Sequence, residues 1–349
     1  MMKSSFRDDD CFFLLKDLTG IIPFTPFDEK ESLIAEGHSY SEMITEEEPL
    51  PMEINDIFKS MVSLHASDIA RYVATVSEEI LRRFGENVVI VSLARAGSPV
   101  GALIRRYIIF KYNIPLPHYS ISIIRGRGID RNALNYILRR HPQGRMVFVD
   151  GWTGKGSISS ELKKDIKAYN SDCGTSISDC LAVLADPAHV AEFAGTRNDV
   201  CIPNACLNST VSGLVSRTIL NNSYIGPNDF HGAVRYDNFR EDDMTNFFLS
   251  AIEHCFSRDN ICPNSIQGES PVGEVIERLA RDFPLANINK VKLSIGESSR
   301  AFIRRKPYIV LVKNPSNRDL SFVLFMAKKR GVEVRQYDTM NYECITLLK

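Results

Sequence analysis

The side chains best placed to do chemistry cluster around a few short turns. Arg145-Met-Val-Phe-Val-Asp150 reads as a buried strand ending in a carboxylate, and Gly-Trp-Thr-Gly-Lys-Gly-Ser follows at once. Gly154 and Gly156 permit turns that a side chain would block. Thr153 and Ser157 offer hydroxyls, Lys155 a positive charge, and the next helix presents free N–H groups at its start. Together these residues can cradle a phosphate, with Asp150 accepting hydrogen bonds from ribose hydroxyls. Two further turns suit anions. Ala94-Arg95-Ala96-Gly97 places a guanidinium beside small residues that let backbone amides approach a ligand. Arg125-Gly-Arg127-Gly reads as a Gly/Arg-rich, cationic loop. The pattern is neither a Walker A loop nor a dinucleotide fingerprint.

A fourth cluster, Cys201-Ile-Pro-Asn-Ala-Cys206-Leu-Asn-Ser, carries Asn204, Cys206, Asn208 and Ser209, with Arg217 and His231 downstream. These groups can line a pocket for a polar acceptor. Cys206 with His231 and Asp229 could instead serve as a thiol nucleophile, which needs a nearby imidazole. Free cysteines and single histidines are also common as packing residues.

The elements that position these turns alternate. Strands are expected at 88–94, 118–124, 145–150, 180–186 and 199–203, and helices at 54–84, 100–112, 133–140 and 158–169. That rhythm predicts an α/β fold with a parallel sheet flanked by helices, ligands sitting at the strands' carboxyl ends. Residues 1–60 read as an extension wrapping the core, and 61–260 as the main domain. A Pro/Gly/Ser-rich linker is expected at 259–273, followed by a small α/β domain at 271–349.

The formal charge of −1 hides an asymmetry: residues 271–349 carry +7 and the remainder −8. A basic unit of that size suits an anionic partner, although it could equally dock on its acidic neighbour. Arg300 and Arg304 fall four apart on one helical face, extended by Arg305 and Lys306, a pattern suited to RNA phosphates. The composition, 44% hydrophobic and 24% charged, is that of a globular protein. No membrane span or signal peptide is read, and eight cysteines without a CxxC predict a reduced, cytoplasmic chain.

The strand–Asp150–loop segment resembles the PRPP motif of type I phosphoribosyltransferases. The 92–101 and 125–131 segments resemble the diphosphate and catalytic loops of those enzymes. The resemblance implies a type I phosphoribosyltransferase-like sheet binding PRPP with Mg2+, the metal held through PRPP near Asp150. It implies catalytic roles for Asp150, Arg125, Arg127 and Lys155, with phosphoribose passing to an unknown acceptor. Gly151 stands where those enzymes carry a second acid, which leaves open a non-catalytic regulator that senses PRPP or a nucleotide.

Over nearly the whole chain, FFLLK, ARAGSP, VDGWTGKGSI, CIPNACLNSTVSGLVSRTI and GPNDFHGA resemble the StiP family of bacterial tellurite-resistance and stress-response clusters. Members of that family are often called cysteine proteases, so a protease using Cys206 and His231 is the alternative expectation. Residues 271–349 resemble a Pelota-type RNA-binding domain, implying RNA as a partner. A homodimer is a further partner expectation.

Overall fold

The computed structural model describes residues 1–259, 268–284 and 287–349. The expected linker at 259–273 falls largely on 260–267, outside the described residues.

The chain opens with two short strands, β1 (Phe12–Phe13) and β2 (Lys16–Asp17), then helix α1 (Phe27–Ala35). Helix α2 (Met52–Phe84) follows Pro51 and stops at Gly85, whose φ of +68° a side chain would resist. Its buried positions, among them Ile54, Phe58, Met61, Val62, Ile69, Val73, Val76 and Ile80, recur at helical spacing and lie on the sheet. Strand β3 (Val88–Ala94) leads into α3 (Gly97–Tyr112), and β4 (His118–Ile124) turns back through β5 (Gly128–Ile129) into α4 (Arg131–Arg140). Then come β6 (Arg145–Val149), α5 (Ser157–Cys173), β7 (Leu181–Ala185) and β8 (Phe193–Thr196). A short strand β9 (Gly232–Ala233) pairs with β2, and α6 (Thr245–Glu253) closes the larger unit.

The main sheet runs β1-β4-β3-β6-β7-β8, every neighbour parallel, with β5 antiparallel beside β4. The near-continuous apolar runs of β3, β6 and β7 are buried, as a sheet covered on both faces requires. The result is a mixed α/β fold with a mostly parallel sheet flanked by helices.

One expected strand is absent. Residues 199–203 do not join the sheet, whose last strand is β8 instead. The hydrogen-bonding groups around 199–203 are used across the domain boundary. Asp199 accepts the backbone N–H of Ile295 (3.0 Å) and Glu343 (2.9 Å), and the N–H of Cys201 donates to Asp319 (3.0 Å). Pro203 has no N–H to give.

The C-terminal unit contains α7 (Val272–Asp282), β10 (Val291–Leu293), α8 (Ile295–Arg304), β11 (Pro307–Val312), α9 (Ser321–Arg330), β12 (Glu333–Gln336) and β13 (Cys344–Leu348). Its sheet order is β10-β13-β11-β12. Strand β13, absent from the sequence expectation, is central in that sheet and antiparallel to both neighbours. The core is continuous between the units: Phe302, Phe322 and Met326 pack in one cluster with Val73, Val149 and Cys206.

Candidate functional site

The carboxyl ends of β3, β4 and β6 converge on a cavity of about 310 Å³, and α8 of the C-terminal unit forms its opposite wall. Six basic side chains line it, Arg95, Arg217, Lys292, Arg300, Arg304 and Arg305, against two carboxylates, Asp150 and Glu297. Both units therefore build this site.

Arg95 is buried at the end of β3, where its guanidinium donates to the carbonyl of Val215 (2.8 Å) and to Asn208 Oδ1 (3.1 Å). It also pairs with Glu47 at 2.6 Å. Gly97 opens α3 so close to β6 that an added Cβ would sit 2.1 Å from the carbonyl oxygen of Val149. Its role is close packing, which brings Ala94–Gly97 up to the strand end of Asp150. The Asp150 carboxylate accepts the N–H of Gly151 (2.8 Å), and burial pushes its pKa up to about 7.

The expected phosphate loop is occupied by protein contacts. Thr153 donates its hydroxyl to Asp186 (2.6 Å) and accepts from the N–H of Ala188 (3.2 Å). Gly154 lies against β10 and α8, where a Cβ would meet Glu297 at 2.6 Å, and its carbonyl accepts the Tyr342 hydroxyl (2.8 Å). Lys155 donates to the carbonyl of Ile288, and burial, with Lys292 and Arg125 nearby, lowers its pKa to about 8. Gly156 takes φ +78° at the start of α5, with Ser157 as the first helical residue.

The Arg125–Gly128 loop is tied down by its own contacts: Arg125 donates to Asn289 (2.8 Å), the N–H of Gly126 to Glu161 (3.1 Å) and Arg127 to Glu42 (2.7 Å). Only Asp150, Ala94, Arg95 and Ala96 of the expected phosphate and catalytic residues line the basic cavity; Arg125, Thr153–Ser157 and Asp150 line a neighbouring one.

The expected acceptor residues divide. Asn204 donates to the carbonyl of Ala96 (3.1 Å), and Asn208 Oδ1 accepts from both Arg95 and Arg304. Ser209 gives its N–H and hydroxyl to Glu47. Arg217 lies over the Tyr40 ring and donates to the carbonyl of Met43. His231 is elsewhere: its Nδ1 meets Ser122 Oγ (2.8 Å) and its N–H donates to Asp130 (2.6 Å), while Asp229 pairs with Lys16. Cys206 is fully buried beside Cys201. No hydrogen bond joins Cys206 to His231 among the described residues, so the fold does not assemble that expected pair.

The four basic residues expected at an RNA face also separate. Arg300 and Arg304 turn into the cavity, the first lying over Trp152 at 5.0 Å and the second donating to Asn208 (2.9 Å). Arg305 and Lys306 are exposed. Spacing of four puts the first two on one face, and that face meets the larger unit.

Sequence reasoning missed Glu47, Tyr40, Trp152 and Lys292, which reach the site from loops and strands distant in the chain. It also missed Cys11 and His118. His118 Nδ1 lies 2.6 Å from the carbonyl of Asp10, which can only accept, so Nδ1 carries the proton. Nε2 is then an acceptor, 3.6 Å from Cys11 Sγ and 2.7 Å from Ser92 Oγ. Burial lowers the His118 pKa to about 4 and, with the Asp10 charge, raises that of Cys11, so both are neutral. Among the described residues, no three His, Cys, Asp or Glu side chains gather to hold a metal, and no helix is long and apolar enough to cross a membrane.

Residues 4–253 match the family described as tellurite-like stress resistance cysteine protease StiP, and residues 272–349 match the PELOTA RNA binding domain. A curated relative from Acinetobacter baylyi (strain ATCC 33305 / BD413 / ADP1), "Cysteine protease StiP", is 32% identical over 363 residues, 99% of this chain and 94% of the relative. Two solved structures are weakly similar. A hypothetical protein from Neisseria gonorrhoeae with bound ppGpp has TM-score 0.24 and 13% identity, over 46% of this chain and 85% of the other. A NifS-like protein from Rickettsia africae has TM-score 0.22 and 12% identity, over 97% and 93%. Nothing rests on either at those scores.

The sequence matches overturn one expectation. Both family and relative are described as cysteine proteases, so the phosphoribosyltransferase reading, with transfer from PRPP, is withdrawn. Magnesium entered that reading only as the companion of PRPP.

Proposed function

The chain belongs to the family described as tellurite-like stress resistance cysteine protease StiP, and from that membership we infer a thiol-dependent peptide hydrolase joined to an RNA-binding domain. The observation that supports a particular nucleophile is the contact between Cys11 and His118. It is a thiol within reach of an imidazole whose tautomer is fixed by a third group, the arrangement nucleophilic catalysis requires. The Ser92 hydroxyl, 2.7 Å from Nε2, competes with the thiol for that lone pair and has an alternative acceptor in the carbonyl of Gly97 (3.0 Å) to which it would turn as the thiol donates.

In this reading His118 Nε2 takes the thiol proton as sulfur attacks a peptide carbonyl, then returns it to the departing amine. Water cleaves the resulting thioester. The pair is neutral at rest and Cys11 is only 6% exposed, so the arrangement described is a latent one. Activity in this reading needs a substrate to reach the Cys11–His118 pair while the segment that carries Cys11 and the Asp10 carbonyl stays in place.

Cys206 is the competing nucleophile, favoured by its place on the turn against which α8 packs. The test is proteolysis of a denatured protein substrate, followed by mapping of the cysteine that a peptidyl electrophile labels. The expected result is an adduct on Cys11 and at least a hundredfold loss of hydrolysis in Cys11→Ala and His118→Gln. Full hydrolysis in Cys11→Ala with loss in Cys206→Ala would transfer the role to Cys206, and hydrolysis indifferent to thiol alkylation would remove the thiol reading altogether.

A further inference from the structure

The arginines around the cavity are under-partnered. Arg95 Nε, Arg217 Nη1, Arg300 Nε and Arg304 Nη2 are buried N–H groups without an acceptor, and the buried Asn204 Oδ1 has no donor. Buried donors are nearly always satisfied in folded proteins, and a charged group without a partner costs more than a neutral one. The four guanidinium nitrogens gathered around one cavity point to an acceptor that the protein alone does not supply, whereas the Asn204 oxygen, outside the cavity lining, would need a donor. Arg95 and Asn204 are 5% and 1% exposed, so these are fixed groups inside the wall, not solvated surface charges.

The other side chains narrow the chemistry. Three guanidiniums line the cavity together: Arg95 and Arg304 share the acceptor Asn208, and Arg300 lies one helical turn before Arg304 on α8. Planar forks of this kind match phosphate oxygens. Burial and mutual repulsion push the Arg300 pKa down to about 10 and that of Arg304 further, so an incoming anion relieves both. Trp152, 8% exposed and lying under Arg300, gives the cavity an aromatic wall beside the cationic corner, and a base would pack on the planar Arg300–Trp152 pair. About 310 Å³ is at the small end of ligand pockets, suited to a single nucleotide unit.

Residues 272–349 carry the RNA-binding match, and their helix α8 presents two arginines to this cavity instead of to open solvent. We propose that the cavity is a composite RNA site: one nucleotide of a single-stranded RNA enters it, its phosphate held by Arg95, Arg300 and Arg304 and its base beside Trp152. This rests on the RNA-binding reading of the C-terminal domain and assigns part of the contact to the larger, protease-family domain. RNA would accordingly hold the two units together.

The test uses the full chain and a fluorescently labelled single-stranded RNA of mixed sequence, with affinity followed by anisotropy across a salt series. Arg300→Met and Arg304→Met are expected to weaken binding at least tenfold each, and each to reduce the slope of log affinity against log salt by about one. Lys328→Glu with Lys329→Glu, two exposed residues at the end of α9, is the control and should change affinity less than threefold. Trp152→Leu should weaken RNA more than it weakens inorganic phosphate, and thermal midpoints establish that each variant folds. Three outcomes overturn the proposal: tight RNA binding unaffected by both arginine variants, loss confined to the α9 control, or binding of AMP or inorganic phosphate with no RNA binding. Absence of RNA binding in the unaltered chain removes the RNA reading itself, which separates the two failures.

Discussion

Two clusters of arginines, one on α3 and one around the cavity, are built in opposite ways. On the buried face of α3, Arg106 is gripped by both oxygens of Asp10 (2.8 and 2.6 Å) and by Glu253 (2.7 Å). Its neighbour Arg105 donates to the carbonyl of Leu116 (3.0 Å) and pairs with Asp9 (3.3 Å). At the cavity, Arg95 pairs with Glu47, Arg95 and Arg304 share the Asn208 amide oxygen, and Arg95, Arg300 and Arg304 each keep an unpartnered nitrogen. A cation that the protein neutralises for itself is part of the framework that fastens the N-terminal segment. A cation left short of acceptors is held ready for something else.

The sharpest way to break that distinction is to strip the saturated cluster of its acid. Asp10 is 2% exposed, so Asp10→Ala strands Arg106 with only the half-exposed Glu253. Breaking a buried pair from one side costs about 3–5 kcal/mol. Denaturant unfolding should show a loss of that size. A loss below about 1 kcal/mol would mean that the Arg106 cluster is no more structural than the cavity.

A second effect comes from carboxylates at the domain junction. Burial raises both Asp150 and Asp199 to a pKa of about 7, above the unfolded value near 4. Between those values the folded state keeps protons that the unfolded chain has lost. Their contribution is therefore full below pH 4, falls as pH rises through 7, and is flat above. The Asp150→Asn, Asp199→Asn double variant should lose about 1–2 kcal/mol of this pH dependence between pH 5 and 7, seen as a flatter plot of unfolding free energy against pH. Parallel plots for the two proteins would contradict the assignment.

Third, Glu47 pairs with the cavity arginine Arg95. Burial pushes its pKa up, but Arg95 and Ser209 outweigh that and the net shift is downward. Glu47→Gln keeps the shape and removes the charge. It should cost about 1–2 kcal/mol of stability and tighten RNA binding several-fold, because the guanidiniums lose their internal competitor. Weaker RNA binding in this variant would place the anion away from Arg95.

Much of the scaffold behind this contrast was readable from the residues. The apolar runs at 88–94, 118–124 and 145–149 and the helical spacing of Ile54 through Ile80 follow local rules, and the structure has those elements there. Residues 199–203 misled because their apolar side chains fit a strand, while Asp199 and Cys201 bond across the domain junction. The site was half legible. Asp150 and Arg95 sit on strand ends, where the fold class puts ligands. Arg300 and Arg304 were recognised as a basic face, but nothing local says that the face turns inward. Glu47 in its acidic run, the single tryptophan Trp152, and Cys11 paired with His118 across 107 positions are contacts of tertiary origin. No spacing rule reaches them. The family resemblance located the chain correctly, and the phosphoribosyl-transfer chemistry attached to it did not follow.

The smallest effect is also the most discriminating, since it makes one substitution in both clusters. Methionine keeps the unbranched stem of arginine, stops short of the guanidinium and carries no charge. In Arg106→Met it removes the partner of Asp10 and leaves that carboxylate buried and alone, so a loss of several kcal/mol is expected. In Arg304→Met it removes a cation crowded by Arg300 and Arg95 together with an unpartnered nitrogen, at the loss of a single hydrogen bond to Asn208. Those terms oppose one another, and unfolding free energy without RNA should change by no more than about 1 kcal/mol in either direction. The same variant loses its RNA-induced rise in melting temperature. If Arg304→Met destabilises the free protein as much as Arg106→Met does, the cavity arginines are framework after all. Their missing acceptors would then be ordinary water rather than a phosphate.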